Sequence, residues 1–240
     1  DLKELAPSSL GGAREEERIS IAINADSIAT WALPALTDLA QQGLPMEIIA
    51  DDQDFTQEWL REGQVLGCVT TLKQALRGCK VVALGAMEYL AVATPAFAQS
   101  RLSKPTPGAR GREALLTAHN FRDIPFVAFN RKDDMQSEFV GKAFGLKRVT
   151  LNQLFVPSSE GQLRAVLAGW GASVVPRLLA QGLIEQGLLV NLAPTCTLPI
   201  QLYWHCWNLE SEVLDALTAA LKQSAASVLV NECAPPTATK

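Results

Sequence analysis

Residues 19–31 read ISIAINADSIATW, and this stretch decides how the chain folds. The apolar run Ile19–Ile23 predicts a buried strand, and the polar turn Asn24–Ser27 follows it directly. Apolar side chains then recur at helical spacing, which predicts a helix over residues 28–39. A strand, a short polar loop and a helix together make one βα unit.

The same alternation continues to the end of the chain. Further strands are predicted at 46–50, 65–70, 81–85, 89–93, 126–129, 149–156, 172–175 and 200–204. Further helices are predicted at 54–62, 112–118, 135–144, 162–168, 177–181 and 213–229. Such alternation predicts an α/β fold with a mostly parallel sheet. The alternating strands and helices fall into two consecutive groups, and one late strand returns to the first group. This arrangement indicates two lobes, joined by crossing strands, with a ligand cleft between them.

The composition excludes several classes of protein. Of the 240 residues, 48% are hydrophobic and 19% charged, and the net charge is −4, so disordered and collagen-like chains are excluded. The acidic balance argues against nucleic-acid binding by these residues. Five scattered cysteines without a CxxC pair favour a reducing, cytoplasmic location, and no apolar run is long enough to span a membrane. Because the first residue is Asp1, we expect a removed upstream segment, either a signal peptide or a domain.

Polar side chains stand where strands end and helices begin. Helix N-termini offer free N–H groups, so such loops bind carboxylates, with serine and threonine hydroxyls as additional donors. The loops concerned are Asn24–Ser27, Thr70–Thr71, Asn130–Asp134 and Pro157–Glu160, and the hydroxyls are those of Ser27, Thr71, Ser158 and Ser159. The alternative is that these side chains simply cap their own helices, as Asp26 or Ser27 would do for helix 28–39.

Carboxylates cluster near the same strand ends. They belong to Asp26, Asp51, Asp52, Asp54, Glu88, Asp133, Asp134 and Glu160. A cleft that combines carboxylates with helix N-termini suits a ligand carrying both charges, such as a basic amino acid. The alternative is that these residues are solvated helix starts.

Signals for catalysis are few. His205 and Cys206 are adjacent in a predicted strand, so their side chains point to opposite faces and cannot form a nucleophile–base pair. The element Gly169-Trp-Gly171 lacks the third glycine of a dinucleotide fingerprint, and GxSxG, P-loop and HExxH motifs are absent. We therefore predict a binding protein rather than an enzyme, with no catalytic residue, metal or cofactor.

Several motifs resemble the effector domain of LysR-type transcriptional regulators, especially the arginine/lysine-responsive subgroup called ArgP, IciA or LysG. Besides ISIAINADSIATW at 19–31 they are LPAL (33–36), TQEWLR (56–61), FNRKDDM (129–135), VPSS (156–159), AGWG (168–171) and LYWH (202–205). The resemblance implies a periplasmic-binding-protein-like fold of type II, a lysine or arginine effector, and no enzymatic activity. It also implies control of basic amino acid export or metabolism genes.

The resemblance also implies a set of ligand-binding residues. The expected set is Asn24, Asp26, Ser27, Thr70, Thr71, Glu88, Asn130, Asp134, Ser158 and Ser159. Within it, the Ser27 hydroxyl is expected to contact the effector, and Ser158 and Ser159 to face the first lobe. Asn130 stands where some relatives carry aspartate, so Asp134 or Glu88 is the alternative partner for the ligand's amine.

The resemblance further implies the organisation of the parent protein. Residues 1–18 would be a linker remnant, 19–88 with 201–232 one lobe, 89–200 the other lobe, and 233–240 a tail. A homodimer would form through helix 28–39 and strand 46–50, and a tetramer is possible in the full-length parent. DNA would be bound only by an N-terminal winged helix-turn-helix absent from this chain, and no membrane partner is expected.

Two other classes of protein stay open. An exported amino-acid-binding protein of a transport system would share the fold, and the codons upstream of Asp1 would distinguish it, since they would encode a signal peptide. A small enzyme on a two-lobed fold would need an acid/base pair, and the sequence does not show one.

Overall fold

The computed structural model describes residues 18–51, 55–102 and 114–230. The predictions for the linker and the tail lie almost wholly outside the described residues. The strands are β1 (Ile19–Asn24), β2 (Met46–Asp51), β3 (Gly67–Thr70), β4 (Cys79–Ala93), β5 (Pro125–Ala128), β6 (Asn152–Phe155), β7 (Ser173–Pro176), β8 (Val190–Asn191) and β9 (Leu198–Trp207). The helices are α1 (Ala25–Ser27), α2 (Leu33–Gln41), α3 (Thr56–Arg61), α4 (Pro95–Leu102), α5 (Met135–Phe144), α6 (Ser159–Leu167), α7 (Arg177–Glu185) and α8 (Glu212–Val228).

The first lobe is a sheet built on the parallel trio β2, β1 and β3. Strand β9 joins β3 in antiparallel fashion, and the long strand β4 joins β9, which gives the order β2-β1-β3-β9-β4. Apolar strands such as β1 are buried because helices cover the sheet, as expected for parallel strands. Strand β2 occupies the outer edge of this order.

The second lobe uses the far half of β4. That half pairs with β7 and β8, while β5 and β6 form a parallel pair attached to β7 through a bridge between Phe126 and Ala172. Strands β4 and β9 therefore connect the lobes, and the predicted fold of two α/β lobes joined by crossing strands is confirmed. The prediction of a mostly parallel sheet is wrong, because β9, β7 and β8 all pair with their neighbours in antiparallel fashion.

Strand β4 corrects one sequence prediction. Two strands separated by residues 86–88 were expected, but the structure has a single strand because those residues pair with β9, for example Met87 with Ile200. The irregularity lies earlier, where the register shifts between Ala83 and Gly85. Gly85 has a φ of 126°, and a side chain there would collide with Leu229, whose segment runs back along β4.

The first helix begins earlier than the sequence predicts. It starts at Ala25, so Asp26 and Ser27 lie inside its first turn and neither is the N-cap; that position belongs to Asn24, which makes no side-chain cap bond. Residues 28–32 form a π-helical stretch before α2. This wider turn precedes Pro34, whose missing N–H and bulky ring disturb regular helical bonding.

Two further helix predictions were wrong. Residues 114–117, the described part of the helix expected at 112–118, adopt no regular structure, and a turn follows them. Conversely, helix α4 lies in a region for which the sequence predicts no helix. Pro95 is its first residue, where a missing N–H costs nothing, and Thr94 Oγ1 accepts a hydrogen bond from Phe97 N at 3.2 Å.

Helix α8 covers the crossing strands of the first lobe. Its buried face carries leucines, and Trp204 on β9 donates from Nε1 to Thr218 Oγ1 at 2.9 Å.

Among the described residues, no helix has both the length and the apolar character that crossing a membrane requires.

His205 on β9 makes folding stability depend on pH. The side chain is fully buried, Nε2 lies 2.7 Å from the Leu72 carbonyl oxygen, and Nδ1 has no partner in the described part of the chain. Burial lowers the pKa of His205 below its ordinary value of 6.5. Below pH 6.5 the unfolded chain therefore takes up a proton that the folded chain does not, and stability falls as the pH decreases.

We expect His205→Gln to flatten this dependence, because glutamine stays neutral and can still donate to Leu72. The free energy of unfolding, measured by urea titration between pH 5 and 7, should lose a slope of up to about 1.4 kcal/mol per pH unit. His119→Gln removes the other, exposed histidine and serves as the control. Equal slopes in wild type and His205→Gln would contradict the expectation.

Candidate functional site

The candidate site is a cleft between the lobes, where β1 and β2 end and helices α5 and α6 begin. The cleft encloses about 580 Å³ of space, a figure that includes the solvent at its open side. Its wall is formed by Asn24, Ala25, Asp26, Asp51, Tyr89, Phe129, Asp133, Asp134, Met135, Gln136, Glu138, Ser159, Gln162 and Val174.

Asp26 stands on the cleft wall in the first turn after β1. Its Oδ2 accepts a hydrogen bond from the Tyr89 hydroxyl at 2.7 Å. Burial raises the pKa of Asp26, the Ser159 and Tyr89 hydroxyls act in the opposite direction, and the charge of Asp133 raises the pKa further. A carboxylate held in such a place gains most from a bound cation, which would replace the lost hydration.

The wall of the cleft is strongly acidic. Five carboxyl groups line it, and neither lysine nor arginine is among its lining residues. The carboxyls belong to Asp26, Asp51, Asp133, Asp134 and Glu138. Asp51 also accepts a hydrogen bond from Trp59 Nε1 at 2.9 Å, which fixes its carboxylate at the end of β2. The surplus of negative charge favours a cationic ligand.

Two neutral groups on the same wall are buried without partners. Asn24 is 1% exposed, and its Oδ1 accepts no hydrogen bond from the described residues. Ser159 is 5% exposed, and its Oγ lies near enough to Asp26 to lower that carboxyl's pKa, yet makes no hydrogen bond of good geometry. Unsatisfied buried polar atoms are costly, so both groups are available to a ligand.

The structure brings four of the predicted ligand-binding residues to the cleft wall, namely Asn24, Asp26, Asp134 and Ser159. In two loops the structure also shows which of two adjacent polar side chains has a capping role and which one lines the cleft without such a role. Ser158 is the N-cap of α6 and accepts a hydrogen bond from Gly161 N at 3.1 Å, whereas its neighbour Ser159 lines the cleft. Asp133 accepts from Met135 N at 2.9 Å and from Phe129 N at 2.8 Å, which leaves the Asp134 side chain without a capping role.

Other predicted residues lie away from this wall. Ser27 is fully buried, and its hydroxyl has no partner among the described residues. Thr70 is also buried and donates to Gln57 Oε1 at 2.9 Å, and its neighbour Thr71 is not among the lining residues. Glu88 is ion-paired with Arg177 at 3.0 Å and points to the face of β4 opposite to Tyr89.

Asn130 lines an outer section of the cleft that continues from Asp51 toward solvent. One side of this section carries Glu58 and Glu62 from the first lobe, and the other carries Arg131 and Lys132 from the second. Lys132 Nζ lies 4.5 Å above the centre of the Phe55 ring, a cation–π contact between the lobes. The mouth of the cleft is therefore basic on one side, while the interior is acidic.

Four polar residues of the wall are not among the candidates that the sequence identifies, namely Tyr89, Gln136, Glu138 and Gln162. Tyr89 was assigned to a separate strand, so its position between the lobes was hidden. Gln162 follows Ser159 by three residues, a spacing that returns it to the same face of α6. Gln136 Oε1 accepts from Val174 N at 2.7 Å, so this side chain ties α5 to β7 beneath the cleft.

Comparison with known proteins identifies the family. Residues 12–226 match the LysR substrate binding domain. The transcriptional regulator ArgP of Aeromonas salmonicida is 39% identical over 194 residues, which cover 80% of this chain and 62% of that protein. The chain thus spans less than two thirds of the length of this relative.

Solved structures agree with the sequence match. The C-terminal domains of a LysR family protein from Agrobacterium tumefaciens superpose with a TM-score of 0.80 at 34% identity, covering 89% of this chain and 99% of that one. Full-length LysG from Corynebacterium glutamicum, solved with bound effector Arg, gives a TM-score of 0.74 at 30% identity, covering 89% and 69%. The fold is therefore of the type II periplasmic-binding-protein kind, and the chain belongs to the LysR substrate-binding domain family.

Proposed function

We propose that this chain is the effector-sensing part of a cytoplasmic transcriptional regulator and that it binds arginine or lysine in the interlobe cleft. The observation that carries the proposal is the excess of carboxyl groups on the cleft wall, which has five of them and neither lysine nor arginine. Ionised carboxylates accept only, and the unpartnered Asn24 Oδ1 is an acceptor as well. Such a wall requires a ligand rich in donors.

Basic amino acids meet this requirement. A guanidinium group offers five N–H donors and an ammonium group three, and each carries a positive charge that can pair with the partly buried carboxylate of Asp26. A neutral amino acid lacks the second cationic group, so it offsets less of the negative charge of the five carboxyls on the wall. The arginine in the related LysG structure supports the same ligand class for this chain.

The proposed ligand contacts include residues that line the cleft and residues that only the sequence predicts. Asn24, Asp26, Asp134 and Ser159 contact the ligand from the inner wall, and Asn130 contacts it from the outer section. Ser27, Thr70, Thr71, Glu88 and Ser158 remain predicted contacts, reached only if the lobes rearrange around the ligand.

The proposed parent protein is a DNA-binding homodimer. Strand β2 lies at the sheet edge with its outer side unpaired among the described strands, and Leu33 on the preceding helix is 48% exposed. These features support dimerisation through helix 28–39 and strand 46–50. Operator DNA would be bound by an N-terminal domain of the parent, and basic amino acid export or metabolism genes would be its targets. We also propose the lobe boundaries 19–88 with 201–232, and 89–200.

Titration with matched ligands tests the proposal. Arginine and lysine should raise the melting temperature of the protein in proportion to the logarithm of their concentration, as expected for ligands that bind only the folded state. Citrulline and norleucine, which have nearly the same shapes without the side-chain charge, should leave it unchanged. Equal shifts with charged and neutral ligands would refute the charge-based site, and no shift with any of them would refute amino acid binding.

A further inference from the structure

Tyr89 occupies the point at which β4 passes from one lobe to the other. Its backbone is paired on one side with Leu198 of β9 and on the other side with Pro176 of β7. The side chain is 1% exposed and reaches the cleft wall, where its hydroxyl donates to Asp26 at 2.7 Å. One residue therefore links the crossing strand, both lobes and the central carboxylate of the site.

The surroundings of Asp26 make this hydrogen bond important. From α6 it faces the Ser159 hydroxyl, from the loop before α5 it faces Asp133, and the other cleft carboxyls are those of Asp51, Asp134 and Glu138. No cationic side chain is among the lining residues. The hydroxyls of Ser159 and Tyr89 are consequently the two side-chain groups that favour the ionised form of Asp26, since a donor to a carboxylate favours its charged state.

We propose that Tyr89 is a positioning residue that keeps Asp26 ionised and oriented toward the cationic group of the effector, and so couples ligand binding to the strand that joins the lobes. This inference rests on the proposed function. Removing the hydroxyl leaves the buried ring in place but deprives Asp26 of one of its two hydroxyl donors. The carboxyl then protonates at a higher pH, and a protonated carboxyl attracts no cation.

The test is the pH profile of arginine binding by Tyr89→Phe, measured by calorimetry on the whole chain from pH 5 to pH 8.5. We expect wild-type affinity to fall as the pH decreases, and the fall to begin at a higher pH in the variant. The ratio of the two affinities should grow toward low pH, by up to about tenfold for each pH unit by which the profile moves. Tyr203→Phe, which removes the other tyrosine hydroxyl of the chain, should reproduce the wild-type profile.

Two outcomes overturn the inference. Parallel profiles, with a constant ratio at every pH, would show that the hydroxyl only supports the structure. An unchanged effect of Tyr89→Phe in an Asp26→Asn background would show that it does not act through Asp26. If the wild type binds no arginine, the proposed function is refuted, but the effect of Tyr89 on Asp26 can still be tested without the ligand. Carboxyl carbon NMR of Asp26 then decides the inference, since its titration must move to higher pH in Tyr89→Phe.

Discussion

Replacing Asp26 by asparagine is expected to weaken arginine binding at pH 7.5 by roughly 30-fold or more. Loss of one partner of a buried charge pair costs about 2–5 kcal/mol, and each 1.4 kcal/mol corresponds to about a tenfold change in Kd. Asparagine has almost the same shape and can still accept from the Tyr89 hydroxyl, so the loss reports the missing charge. Calorimetric titration with arginine measures it directly.

The same substitution should stabilise the unliganded protein. Because burial raises the pKa of Asp26, its ionised form is disfavoured in the folded state, and stability is lost as the pH rises above the ordinary value of 3.8. Asparagine carries no such penalty. The melting temperature without ligand should therefore rise, while the increase caused by arginine disappears. Opposite effects on stability and binding are typical of a residue retained for function.

Glu210→Gln is the matched control for Asp26→Asn. Glu210 is exposed in the loop before α8, outside the cleft wall, and its substitution removes the same unit of charge. It should leave both the affinity and the melting temperature nearly unchanged. Similar losses in the two variants would assign the effect to the overall charge and contradict a specific role for Asp26.

Gly171→Ala is expected to destabilise the protein by about 2–4 kcal/mol. A Cβ at Gly171 would lie closer than 3.0 Å to the carbonyl oxygen of Pro125, which also accepts a hydrogen bond from Ala172 N. Backbone atoms cannot rotate away as a side chain does, so β7 must separate from β5. For a protein of this size the melting temperature should fall by roughly 4–16 °C.

Gly182→Ala is the control for this prediction. Gly182 lies inside α7, and a Cβ added there would meet no neighbouring atom within 4 Å, so alanine fits and gains up to about 1 kcal/mol from helix propensity. Thermal unfolding of both variants should show shifts of opposite sign. A Gly171→Ala protein as stable as the wild type would show that β5 and β7 can separate without cost.

Local patterns predicted most of the fold. The stretch 19–31 indicated β1 and the helix after it, since buried strands and amphipathic helices depend on neighbouring residues. The prediction failed at β4, where an irregular segment is held in strand form by β9, more than a hundred residues further along the chain. It missed α4, although this helix begins at Pro95 and proline is well suited to the first turn.

The site was predicted less completely than the fold. Loops after strands identified Asn24, Asp26, Asp134 and Ser159, because residues at the carboxyl ends of neighbouring strands converge. Tyr89 could not be found in this way, since it lies within a strand and reaches the cleft through the lobe geometry. Nor does a sequence show which of two adjacent serines caps a helix; here it is Ser158, whose extended backbone lets its hydroxyl accept from Gly161 N.

The passage of the chain through both lobes has a consequence for biosynthesis. Strand β3 pairs with β9, which the ribosome produces only after the whole second lobe. At about 5–20 residues per second, β3 waits on the order of ten seconds for its partner. During that interval the second lobe can already condense, while the first exposes an unpaired, apolar strand edge to solvent. Nascent chains of this protein are therefore expected to be clients of ribosome-associated chaperones until β9 and α8 emerge.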